Sequence, residues 1–308
     1  MKHIISLRAA DSPGFIEIDE AEYDFIKDAR ENLFEALYLE EILDLVIENY
    51  YEYETELLAM SSRMMIFNDE YFSMERERNL LSRRIANLLS AGRMYIDQSP
   101  HYLRNIYGEA SDIPDLVENE KAFQYQQNFG YRVMEAIRNY AQHRDFPIQG
   151  IKLSFQTVDG EAGSQFLHRA IPLISVSTLA DDDKFKRTIL HEIKNSSTKD
   201  LIDVRPFIKE YVEAIGTLHV KTRELIHPDV IKWEKTLDDA IAKYKNKFGD
   251  NAPLAGLSII KESDDGQWEA TKPIFTNVIK NRQDLENKNS NFINLHKSYA
   301  SNEIRKDD

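Results

Sequence analysis

The sequence predicts a mainly α-helical protein, a helical bundle followed by a helical extension that carries small β-hairpins. Apolar residues recur at helical spacing through most of the chain up to Pro147. Alternation of apolar and polar residues replaces that spacing only in short stretches, each broken by a turn signal such as Asp159-Gly160 or Asp265-Gly266. No fixed-period repeat suggests a solenoid, and no glycine-rich phosphate loop or dinucleotide fingerprint suggests an α/β sheet.

The elements follow in order. Ile4, Ile5 and Leu7 precede the turn signal Asp11-Ser12-Pro13-Gly14, and Phe15-Ile16-Glu17-Ile18 completes a hairpin over residues 1–18. Asp19 and Glu22 have capping-box spacing and start a long helix through Leu33, Leu37, Val46 and Tyr50 to about Phe67. Asn68 and Asp69 offer the next cap. Leu80, Leu81, Ile85, Leu88 and Leu89 form a second helical face, which Ser99-Pro100 should stop or bend. A third helix, from about Val117, carries Phe123, Phe129, Val133, Met134 and Ile137, and Phe146-Pro147 ends it.

Past that point Ile151, Leu153 and Phe155 alternate, and Asp159-Gly160 turns the chain toward Phe166–Val176 as a hairpin. Helices resume with Phe185, Ile189 and Ile193, and Pro206 and Pro228 suit the first turns of two successive helices. Gly249 closes the second of these, and 257–275 reads as another hairpin around Asp265-Gly266. The expected division is thus hairpin 1–18, bundle 19–147, extension 148–282 and a loosely attached polar tail 283–308.

Composition narrows the function classes. The 308 residues include no cysteine, which excludes disulfides, thiolate metal sites and a thiol nucleophile. No apolar run reaches membrane-spanning length, and Met1–Leu7 is too short for a signal core, so a cytoplasmic location without membrane contact is expected. A formal net charge of -14 counts against a nonspecific nucleic-acid coat while leaving room for a local basic cleft.

The most informative segment is Arg138-Asn139-Tyr140-Ala141-Gln142-His143, at the end of an amphipathic helix and just before Phe146-Pro147. Arg-x4-His spacing alone is common. A polar Asn directly after the Arg and the helix-end setting give it weight. In this cassette, and in the helical pattern over roughly residues 30–147, the chain resembles the HEPN superfamily, whose ribonucleases carry Arg-x(4–6)-His. The resemblance implies a HEPN-like bundle and a metal-independent endoribonuclease without cofactor. Two copies would share a composite site, leaving 2′,3′-cyclic phosphate and 5′-hydroxyl ends on RNA. A toxin or anti-phage role, with an inhibitory or activating partner, follows by the same analogy.

On that reading Arg138 and His143 match the defining positions and Asn139 the polar one. His143 would move the proton and Arg138 would stabilise charge on the pentacoordinate phosphorus. Five residues at 100° each set Arg138 and His143 about 140° apart on a helix, so a frayed end or a second copy must bring them together. Asp97 would orient either residue or face solvent. Arg132 and Arg144 would contact flanking phosphates or remain solvated. Tyr140 would stack on a base or pack. The competing reading is a catalytically silent HEPN-like scaffold that senses a nucleotide or a partner, with Arg138 and His143 merely favouring a helix C-terminus. His191-Glu192 lacks the second histidine of a zincin helix, because Asn195 stands there.

Overall fold

The computed structural model describes residues 1–8, 12–67, 73–160, 163–264, 266–274, 277–292 and 294–300. It is mainly helical, with two small antiparallel sheets. Among the described residues no helix is long and apolar enough to cross a membrane. The chain divides into two compact units, each discontinuous in sequence: Met1–Glu41, Ser99–Leu116 and Val220–Asn289; and Ile42–Gln98, Val117–His219 and Ser290–Asp308. The boundaries at 41/42, 98/99 and 219/220 fall inside long helices.

The first unit holds strands β1 (Lys2–Leu7) and β2 (Phe15–Ile18), with β6 (Leu257–Glu262) and β7 (Trp268–Pro273), in the order β2-β1-β6-β7. The two expected hairpins therefore merge, β1 pairing with β6 from Lys2↔Glu262 to Leu7↔Leu257. Pairing across such a separation leaves no local sequence signal. Ile4, Ile5, Ile259 and Ile260 are all buried, as suits central strands covered on both faces. Gly14 takes φ +139°, and Gly266 takes φ +75° beside Asp265, which lies outside the described residues, as do Asp11 and Phe275.

Helix α1 (Glu20–Ile66) starts where Asp19 Oδ1 accepts the Glu22 amide at 2.7 Å and runs unbroken. The proposed caps Asn68 and Asp69 lie outside the described residues. Helix α2 (Met74–Tyr107) begins after Ser73, whose hydroxyl accepts the Arg76 amide. It does not end at Ser99-Pro100. Ser99, Pro100 and Leu103 are buried, and tertiary packing holds the helix through the missing amide. Likewise Pro228 opens no new helix but lies inside α7 (Arg205–Phe248), whose neighbouring Ile226 and Val230 are buried. Near the end of the unit, α8 (Asn277–Lys288) takes in residues expected in a loose tail.

In the second unit, Leu43, Val46, Tyr53 and Met60 of α1, Leu81, Ile85, Leu88 and Tyr95 of α2, and Ile208, Tyr211, Val212 and Ile215 of α7 are fully buried or nearly so. The single expected third helix is two, α3 (Asp112–Gln127) and α4 (Phe129–His143). Asn128 is extended between them and turns its amide onto Gln124 instead of capping α4. β3 (Gly150–Gly160) and β4 (Gly163–Ser175) form the expected hairpin, but Asp159 and Gly160 pair within the ladder, and β5 (Leu201–Asp203) adds a third strand. Short helices α5 (Val176–Ala180) and α6 (Arg187–Ser196) follow the hairpin.

After α8 the described residues touch the second unit at Phe292, His296 and Ser298, whose carbonyl accepts from Lys209. Phe292, 4% exposed, sits against Gly216, and His296 binds Glu213 at 2.8 Å. A Cβ at position 216 would overlap the Phe292 ring. Phe292 is thus an aromatic anchor in a glycine notch, while residues 301–308 of the expected tail lie outside the described residues.

Candidate functional site

Helix α4 is built to present one polar stripe. Gly130, Tyr131, Val133, Met134, Ala136, Ile137 and Tyr140 are buried, the spacing of a helix lying on a core. Its first turn is anchored by Gly130, whose amide donates to Glu210 Oε2 at 2.6 Å. Any Cβ there would come within 2.9 Å of the Phe207 backbone, so the close approach requires glycine. Its last turn closes with the Arg144 amide on the Tyr140 carbonyl at 2.9 Å.

Of the cassette, Tyr140 belongs to this buried face, while Asn139, Gln142 and His143 are exposed. Arg138 is half-buried, and its Nη1 donates to Asn139 Oδ1 at 3.1 Å. Its Nε is buried with no hydrogen-bond partner among the described residues. Because α4 remains helical through His143, Arg138 and His143 lie about 140° apart around its axis. The fold of one chain does not converge them.

Beside Arg138 is a buried polar cluster that the sequence reading did not single out. Glu135, three residues earlier, accepts from the Tyr211 hydroxyl at 3.3 Å and lies 3.6 Å from Arg93. Arg93 in turn holds Asp97 at 2.7 Å along α2. Burial pushes the Glu135 carboxyl above the usual carboxylate range, against the pull of Arg93, the Tyr211 hydrogen bond and Arg138. Burial also drives Tyr211 well up, with Glu135 adding to it. Gly92 allows this approach, since a Cβ there would overlap the Tyr211 hydroxyl. The Arg93–Asp97 spacing was a legible pairing signal, while Tyr211 is brought in from far along the chain.

The other candidates are engaged within the chain. Asp97 binds Arg93 and reaches neither Arg138 nor His143 by a hydrogen bond. Arg132 donates to the Tyr125 and Gln126 carbonyls at the end of α3, at 3.1 and 2.5 Å, and to Glu192 at 2.6 Å. Arg144 pairs with Asp182 at 2.9 Å and holds that carboxyl below its ordinary range. Tyr140 packs edge-on against Phe185. At the rejected zincin position, Asn195 contacts His191 Nδ1 at 3.1 Å.

Two surface hollows, of about 380 and 450 Å³, include Arg76, Asn79 and Arg83 in one and Phe25, Ala240 and Lys243 in the other. Neither takes in a cassette residue. No family model, curated protein or solved structure matches the chain.

Proposed function

We propose that the α4 cassette is half of an RNA-cleaving site, completed by the same cassette of a second copy. The observation that carries this reading is the state of three side chains at one helix end. Arg138 is steadied by Asn139, and His143 is exposed with no hydrogen bond or ion pair among the described residues. The cations around them are already occupied.

In the reaction, the ribose 2′-oxygen loses its proton to a histidine and attacks the adjacent phosphorus. The P–O5′ bond breaks, and the departing 5′-oxygen is protonated by the other histidine or by water. Arg138 offsets the added charge on the phosphoryl oxygens. The substrate supplies its own nucleophile, so the scheme requires no metal ion.

The test is RNA cleavage in the presence of chelator by the wild type, Arg138→Ala and His143→Ala. Both substitutions should reduce the rate by roughly 100-fold or more, the scale of one acid–base or charge-stabilising group. Equal rates for all three proteins sink the proposal.

A second reading, a binding module without catalysis, draws on Arg132 and Arg144. Both are spent on internal partners, leaving few cations for phosphate beside the cassette. It predicts a complex with a partner protein and no RNA cleavage.

A further inference from the structure

We infer that strand β3 is a docking edge for a second copy of this chain, the two β3 strands pairing antiparallel about a twofold axis at Phe155. The choice of a second copy as occupant rests on the two-copy reading above. The surface is argued from the sheets themselves.

Among the described residues the two sheets present four edges, and three are guarded. β2 has four residues and follows Pro13. β7 carries Lys272 and Pro273 and is offset by a bulge at Lys261/Glu262. β5 has three residues. Short length, proline, lysine and bulges are the means by which edges avoid pairing with other chains. β3 lacks nearly all of them. It is 11 residues long, contains no proline, and pairs with β4 in unbroken register from Gly150↔Leu173 to Gly160↔Gly163. Its one cation is Lys152.

The same hairpin leaves aromatic surface uncovered. Ile151 and Ala170 are buried at its base, but Phe155 is 65% exposed and Phe166 72%. The register sets Phe155 opposite His168 and Thr157 opposite Phe166, so both phenylalanines share one face. Phe155 meets His168 edge-on at 5.1 Å.

Charge selects the occupant. A base-stacking surface for RNA needs cations beside its aromatics. This face offers Leu153, Thr157, His168 and Ala170, whereas Lys152 and Arg169 fall on the other face, with Arg169 bonded to Gln156. Copies of a chain with net charge -14 repel over most of their surface. β3 carries one Lys and one Asp and is neutral. Pairing centred on Phe155 sets Lys152 opposite Val158, Asp159 opposite Ile151 and Leu153 opposite Thr157, with the two Phe155 rings on the axis. No like charges meet, and an aromatic cross-strand pair forms at the centre. Main-chain hydrogen bonds along the edge supply the rest, as in other strand additions.

The chain contains no cysteine, so Phe155→Cys in the full-length protein reports directly on the axis. Opposed Cβ atoms about 4.5–5.5 Å apart are near disulfide reach. Mild oxidation should give covalent dimers, while Tyr51→Cys, equally exposed at 65% in the wild type, should not. In sedimentation the wild type should be dimeric. Phe155→Lys should weaken association at least about tenfold, through opposed like charges, with unchanged circular dichroism.

The inference is overturned by a monomeric wild type, by dimers indifferent to Phe155→Lys, or by equal cross-linking through position 51. It is also overturned if Phe155→Lys leaves the oligomer intact and weakens binding of a single-stranded oligonucleotide. Dimers cross-linked at position 155 without RNA cleavage would sink the nuclease reading alone. His143-dependent cleavage by a dimer insensitive to position 155 would sink this inference alone.

Discussion

At the scale of single residues, Glu135 is the most informative side chain. It is a buried carboxyl with a tyrosine hydroxyl, an arginine and the cassette arginine around it, and its pKa is raised chiefly by burial. Between the ordinary carboxylate range and its raised value, the folded chain binds more protons at this site than the unfolded chain does. Stability from this group therefore falls as pH rises through that window. Glu135→Gln keeps a partner for Tyr211 without the titration. Urea unfolding across that window should show the variant gaining on the wild type as pH rises, with a constant difference above it. A pH-independent difference would mean that Glu135 is solvated in the folded state. The cassette residues could be picked out as candidates because the chemistry proposed for them is written in residue type and spacing. Glu135, Gly92 and Tyr211 were not, because their roles arise only when α2, α4 and α7 meet.

At the scale of elements, periodicity identified most of the helices and all three hairpin signals, and proline misled. Pro100 is expected to stop or bend its helix and Pro228 to open a new one, since each removes an amide and crowds the preceding turn. Both lie inside long helices, beside buried residues that hold the backbone in place. An interior proline costs a helix about 3 kcal/mol, partly offset by about 0.4–1 kcal/mol from a stiffer unfolded chain. Pro100→Ala should therefore stabilise the protein by about 1–2 kcal/mol after some loss of ring packing. The measurement is the thermal midpoint, and a fall in it would show that the buried prolyl ring contributes more than the restored hydrogen bond. The opposite error occurred at Asn128, where one smooth apolar pattern hid two helices. The pattern continued because both helices bury a face, and nothing in periodicity marks an extended residue between them.

At the scale of the whole molecule, the chain is organised by strands far apart in sequence. Deleting residues 1–18 removes β1 and β2 and leaves β6 and β7 as a lone hairpin, an arrangement marginal in water. Hydrogen exchange should then lose its protection at the amides of Leu257–Glu262. Retained protection would mean that the helices alone hold β6 in place. The order β2-β1-β6-β7 also has a consequence in time. A ribosome adding about 5–20 residues per second releases Leu257 roughly 10–50 s after its ladder partner Leu7. Through that interval the apolar inner edge at Ile4 and Ile5 waits unpaired on every nascent chain, so sheet closure belongs to the end of synthesis, and β1 is the segment a chaperone would most usefully cover.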